Sequence, residues 1–174
     1  MKTDILVIGS GLAGCAAALA AAKQGVEVTL LTRSARPEES STFWAQGGII
    51  YHGTDDSPQK LVADIIAAGA GLSSPEAAAL VSREGPRLVK EILIDELGVP
   101  FDESPDASMQ WDLTAEAAHS LPRILHQKDQ TGSAIQRAFI EKIAMYPKVK
   151  LLCAATVVDL LTISHHSVEP LDVY

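Results

Sequence analysis

Gly9, Gly11 and Gly14 stand at G-x-G-x-x-G spacing between a short apolar run and an alanine-rich stretch. That placement is suited to gripping the diphosphate of a dinucleotide. The first glycine permits a sharp turn, the second lets backbone approach a pyrophosphate, and the third lets helix and strand pack closely. Ser10, Leu12 and Ala13 complete the loop and the helix start, where unpaired N–H groups and the positive end of the helix dipole favour an anion. A plain tight turn would also use glycine, but its position between strand and helix favours nucleotide binding. Downstream, Ser41-Thr42-Phe43-Trp44-Ala45-Gln46-Gly47-Gly48 gathers hydroxyls, two aromatics, an amide and paired glycines. Such a loop can lay N–H groups against a planar, phosphate-bearing ligand; a surface turn before a short strand is the plainer alternative. His119 and His126 are of a residue type suited to proton transfer, although a hydrogen-bonded loop histidine is the simpler role for each. No third ligand stands at metal-binding spacing.

Elements to carry these residues follow from the hydrophobic pattern. Residues 5–8 predict a buried strand, 12–24 a helix closed by Gly25, and 26–31 a second strand. Together they make a β-α-β unit with parallel strands. The second strand ends in Thr32-Arg33, where an NAD site would carry an acid for the ribose. Arg33 is then a partner for a 2′-phosphate, a bystander while other groups hold the ribose, or a solvated loop charge. Ser57-Pro58 and Ser74-Pro75 open two helices, the first with Leu61, Ile65 and Ile66 inward and the second with Ala79, Leu80 and Val81. Gly85-Pro86 should break or kink the second before the pattern resumes at Leu88. Residues 110–113 read as a hairpin arm, Thr131-Gly132-Ser133 as a helix cap, and 149–155 and 156–161 as two further strands. The fold class is α/β, with a parallel central sheet. Residues 1–161 form the domain and 162–174 a tail, in which His165-His166 suggests metal only loosely.

Composition narrows the function. The 174 residues are 47% hydrophobic and 21% charged, which suits a packed core and excludes a disordered chain. A net charge of −8 argues against a nucleic-acid footprint. No apolar run reaches membrane-spanning length, and Met1 to Asp4 leaves no room for a leader, so the cytoplasm is the default expectation. Cys15 and Cys153 have no metal or redox spacing and read as small buried residues.

The glycine motif followed by Ser41 to Gly48 resembles the flavoproteins of the succinate dehydrogenase and fumarate reductase superfamily, and within it the L-aspartate oxidases. A third block supports the likeness: Leu113-Thr114-Ala115-Glu116-Ala117-Ala118-His119-Ser120, then Arg123-Ile124-Leu125-His126, then Asp129-Gln130-Thr131-Gly132. Here Ala117-Ala118 replaces two glycines of the family pattern, which restricts the backbone. The resemblance covers Met1 to about Leu161.

It implies a Rossmann-like FAD-binding domain, incomplete because the capping and C-terminal helical domains lie outside the chain. FAD rather than NADP is the implied cofactor. Residues Gly9 to Gly14 would cradle its pyrophosphate, Arg33 would sit near the adenosine, and Ser41 to Gly48 would contact phosphates and isoalloxazine. Thr156 and Val157 would supply backbone contacts to adenine. Ser41 stands where membrane-complex relatives attach FAD through histidine, so noncovalent FAD is expected. Glu116 would orient the ammonium of L-aspartate, with His119 beside it, since a carboxylate there would repel a plain dicarboxylate. No catalytic residue is assigned within the chain. The implied reaction is hydride transfer from L-aspartate to flavin, giving iminoaspartate for quinolinate synthase in NAD biosynthesis, with oxygen or fumarate as electron acceptor. A fragment of a succinate dehydrogenase or fumarate reductase flavoprotein, and a non-catalytic nucleotide-binding module, are the alternatives. Taken alone, the chain should hold FAD weakly, turn over nothing and self-associate through uncovered apolar surface.

Overall fold

The computed structural model describes residues 2–160. Strand β1 (Ile5–Ile8) runs into helix α1 (Leu12–Lys23), which returns the chain to β2 (Val28–Leu31), parallel to β1 in the register Ile5–Val28 to Ile8–Leu31. Gly25, at φ +75°, makes the turn out of α1 that a side chain would resist. Strand β3 (Ile49–Ile50), helices α2 (Pro58–Ala68) and α3 (Pro75–Leu88), a π-helical segment (Val89–Glu96) and strands β4 (Leu113–Thr114) and β5 (Ile124–Leu125) follow. Helix α4 (Thr131–Ala144) then leads to β6 (Val149–Leu152). Two sheets result: a parallel one ordered β1-β2-β6 and a small antiparallel one ordered β3-β5-β4.

The core forms where α1 and α4 cross one face of the parallel sheet. Cys15, Ala18 and Leu19 of α1 meet Val28 and Leu30 of β2 and Ile135, Phe139 and Ile143 of α4, all buried. Their spacing on each helix is that of a single inward stripe. Each large side chain so buried contributes about 1.5–3 kcal/mol.

Several expectations need correction. Strand β1 is not central and not buried: it lies at the sheet edge, with Leu6 49% and Ile8 57% exposed. The reason is topological, because β6 adds on the far side of β2 and none of the described residues pairs with the outer edge of β1. Gly85-Pro86 does not break α3. Ala78 and Ser82 before it and Val89 and Leu93 after it are all buried, and that packing outweighs one missing N–H donor. The helix widens instead, so that Leu97 N–H reaches Ile92 C=O. Ala79, Leu80 and Val81 face solvent, since Ala78 and Ser82 are the buried residues of α3. Helix α4 begins after Gln130, which makes no side-chain cap bond, and Thr-Gly-Ser forms no cap either; Thr131 Oγ1 instead accepts from Gln127 N–H at 2.9 Å. Cys15 is buried, whereas Cys153 is partly exposed. The hairpin arm is present as a bridge between Glu103 and Trp111 followed by β4. The histidine pair of the tail lies outside the described residues.

The strand expected over 156–161 is irregular over its described part, 156–160, and β6 stops at Leu152. Ala154 adopts φ +53°, and the turn it makes sends Ala154 N–H to Ser34 C=O at 2.9 Å and Ala155 N–H to Thr32 C=O at 3.0 Å. The chain therefore crosses the end of β2 and does not extend the sheet. A left-handed alanine costs about 1 kcal/mol. Ala154→Gly should raise the melting temperature and Ala154→Val should lower it; equal melting curves for both would refute the strain.

Among the described residues no helix is long and apolar enough to cross a membrane.

Candidate functional site: the cleft at the mouth of β1

A cleft of about 790 Å³ opens where the parallel strands end, lined by Gly9, Ser10, Gly11, Arg33, Ser41, Thr42, Trp44, Thr156 and Val157, together with Thr32, Ser34, Glu39 and Ser40. That volume is in the range of small-molecule and cofactor sites. The carboxyl ends of parallel strands are where open α/β sheets place ligands. Gly9 takes φ +105° and donates its N–H to Leu31 C=O at 2.8 Å, which locks the loop to β2. At Gly14 a Cβ would lie 1.8 Å from Gly9 C=O, so only glycine lets α1 approach β1 this closely. Leu12 N–H donates to Thr42 Oγ1 at 3.0 Å, so Thr42 occupies one first-turn amide and binds the two loops together. Ala13, in the same turn, is exposed.

The Ser10 hydroxyl is buried and has no hydrogen-bond partner among the described residues. An oxygen-rich ligand in the cleft would supply one, since buried polar groups are nearly always paired. Beneath it, Cys15 donates its S–H to Ser10 C=O at 3.1 Å, and burial pushes the thiol up to about 11, so it stays protonated and inert at neutral pH. These features fit a diphosphate-bearing cofactor.

The second loop divides its residues. Ser41, Thr42 and Trp44 face the cleft, and the Trp44 ring, 71% exposed at the rim, is free to cover a planar ligand. Phe43 does not join them: it packs edge-on to Trp44 and lies under the Arg137 guanidinium, 5.6 Å from its ring centre. Ala45 C=O is held by Gly132 N–H at 2.9 Å, and Gln46 is exposed. Gly47 and Gly48 are outside the cleft lining and lead into β3. A Cβ at Gly47 would meet Glu116 Oε1 at 2.5 Å, and one at Gly48 would meet Leu125 C=O at 2.5 Å. Glu116 is thus brought against the second loop. His119 lies in the same turn, its N–H donating to Glu116 C=O at 2.9 Å; its Nδ1 is buried without a partner among the described residues. Neither Ala117 nor Ala118 takes a positive φ, so the two alanines are accommodated without strain. His126 is a latch: Nδ1 is 3.1 Å from Asp102 Oδ2, with Asp112 on its other side at 3.6 Å.

The roles of Arg123, Asp56, Asp64 and Gln136 escaped the sequence reading. Arg123 is fully buried and bridges Asp56 and Asp64. Asp64 also accepts from Ser120 N–H and Oγ, both at 2.9 Å, and those bonds hold its carboxyl below the usual carboxylate range. Gln136, fully buried on α4, reaches both cleft loops. A polar residue on the same face as Ile135, Phe139 and Ile143 was the available signal for it.

Comparison with known proteins gives the family. A model of the FAD binding domain matches residues 4–169. The chain is 44% identical over 160 residues to L-aspartate oxidase of Halobacterium salinarum, covering 92% of this chain and 30% of that protein. It is 41% identical over 145 residues to L-aspartate oxidase of Mycobacterium bovis, covering 82% and 27%. A solved Mycobacterium smegmatis Sdh1 complex superposes with a TM-score of 0.79 at 26% identity, covering 87% of this chain and 27% of that one. The chain spans less than a third of the length of the curated relatives it matches. The cofactor is FAD, and the chain belongs to the FAD binding domain family.

Proposed function

We propose that the chain is the N-terminal FAD-binding portion of an L-aspartate oxidase, which converts L-aspartate to iminoaspartate in the route to NAD, with oxygen or fumarate as final acceptor. When bound, FAD supplies the two-electron acceptor for the substrate Cα hydride. The residues present have distinct tasks. Gly9, Ser10, Gly11 and the first turn of α1 at Ala13 and Gly14 take the pyrophosphate, while Leu12, its N–H held by Thr42 Oγ1, ties that turn to the second loop. Arg33 takes the adenosine side, and Thr156 and Val157 the adenine. Ser41, Thr42 and Trp44 wall the flavin side, and Ser41 cannot form a histidyl bond, so FAD is held noncovalently. Glu116 orients the substrate ammonium and His119 shapes the turn that carries it.

The observation that carries this reading is the Glu116 carboxylate set against Gly47, where the flavin-side loop meets the 113–120 loop. A charge-assisted hydrogen bond to ammonium is worth about 1.5–3 kcal/mol. In the full-length protein, Glu116→Gln should therefore lower kcat/KM for L-aspartate roughly 10- to 100-fold, while succinate becomes no worse a substrate. Stopped-flow flavin reduction with each substrate tests this. Unchanged kcat/KM for L-aspartate in the variant, or faster reduction of the wild type by succinate, would overturn the assignment.

A further inference from the structure

Gln136 has no place in the reading above except as a core residue, yet its bonds suit a more specific task. Its side chain is fully buried among apolar neighbours on α4. Nε2 donates to Ser10 C=O at 2.6 Å, and Oε1 accepts from Ser40 Oγ at 3.1 Å. Ser10 C=O can only accept, which fixes the amide with nitrogen toward the glycine loop. Ser10 C=O also receives the Cys15 S–H, so two donors draw that carbonyl into the core. The Ser10 carbonyl and the Gly11 N–H belong to one planar trans peptide and point in opposite directions. Holding the carbonyl inward therefore aims the Gly11 N–H outward, to the side on which Ser10 and Gly11 line the cleft.

We propose that Gln136 is a positioning residue of the cofactor site, acting through the Ser10–Gly11 peptide to present the Gly11 N–H to the FAD diphosphate. It rests on the FAD reading of the cleft. Without the Gln136 donor only the weak Cys15 S–H still holds the carbonyl, and a carbonyl rotated toward the cleft would face the phosphate oxygens and repel them. Its bond to Ser40 joins the same peptide to the second loop, which already caps α1 through Thr42. One helix thereby sets both walls of the cradle.

The test is FAD affinity in the full-length apoprotein, read by flavin fluorescence, beside its melting temperature. Gln136→Met keeps the side-chain length and removes the donor; it should weaken FAD at least roughly 10-fold, about the worth of one hydrogen bond. Gln136→Glu places a carboxylate against the carbonyl at neutral pH but regains a donor when protonated. Its FAD affinity should recover as pH falls toward the carboxylate range, relative to wild type at each pH, which a purely structural role would not produce. Ser40→Ala, which spares the Ser10 bond, should cost less than either. FAD affinity within twofold of wild type in Gln136→Met, or no pH-dependent recovery in Gln136→Glu, would overturn the proposal alone. A wild type without FAD affinity would overturn the cofactor reading and this inference with it.

Discussion

Replacing Arg123 with methionine is expected to lower the stability of the protein by about 3–5 kcal/mol, the range for breaking a buried ion pair from one side. Arg123 has no exposed side-chain surface, and its guanidinium makes two bonds of 2.9 Å to Asp56 and one of 2.5 Å to Asp64. Its main chain is tied as well, with N–H donating to Thr114 C=O and C=O accepting from Tyr51 N–H. Methionine fills similar space but removes the cation shared by two little-exposed carboxylates, leaving Asp64 its Ser120 bonds and Asp56 the N–H donors of Gly53 and Ser57. Lysine should not rescue it, because a single ammonium cannot bridge both acids with a planar fork. With total stabilities of about 5–15 kcal/mol, such a loss removes a large part of the whole. Urea denaturation would show it as a lower midpoint, and an unchanged midpoint would mean the network is idle. Acid should act in the same direction. Asp64 is held below its ordinary range, first by the Ser120 N–H and then by the Ser120 hydroxyl and Arg123. Its contribution is thus present above the unfolded-chain carboxylate value and lost as pH falls through the lower folded one.

Gly14→Ala carries the second large effect. Its Cβ would sit 1.8 Å from Gly9 C=O and 3.0 Å from the attached carbon, and both are backbone atoms that cannot swing aside. Helix α1 must shift away from β1, taking the Ser10–Gly11 peptide with it. Overpacking of this kind costs about 1–3 kcal/mol, and FAD affinity should fall on the order of 100-fold as the first-turn amides move off the diphosphate. Gly85→Ala is the matching control. Its Cβ would have only Val81 Cγ1 as a neighbour, at 3.9 Å, and it lies inside α3. That change should add up to about 1 kcal/mol from helix propensity and leave FAD binding untouched. Isothermal titration with FAD on both variants separates the two outcomes; equal affinities would contradict the close-packing role of Gly14.

Much of this was legible in the residues, and the misses share a cause. The β1-α1-β2 unit, both Ser-Pro helix starts and the inward stripe of α4 are local patterns, and local patterns survive folding. The edge position of β1 depends instead on which side β6 joins, a long-range choice that periodicity cannot encode. Gly85-Pro86 looked like a break or a kink because the preference of proline is strong, yet burial on both sides of it carried the helix on into the π-helical segment. Residues 156–160 have strand composition but are redirected by a left-handed turn at Ala154, where no glycine advertised it. Within the site, Gly9, Ser10, Gly11, Arg33, Ser41, Thr42, Trp44, Thr156 and Val157 line one cleft although they come from four separate stretches. Phe43 could not be distinguished from Trp44 by type; its place under Arg137, far along the chain, shows only in the fold. Gln136 and Arg123 were hidden for the opposite reason, since each is an ordinary polar residue whose importance appears only when its partners are in place.

The most direct measurement is a crystal structure of the full-length protein grown with FAD. The pyrophosphate should lie against the Gly11 N–H and the first turn of α1, within reach of the Ser10 hydroxyl, with the adenosine between Arg33 and Thr156-Val157. Density for FAD elsewhere, or a glycine mouth closed by Thr42 and Trp44 in the presence of saturating FAD, would contradict the account.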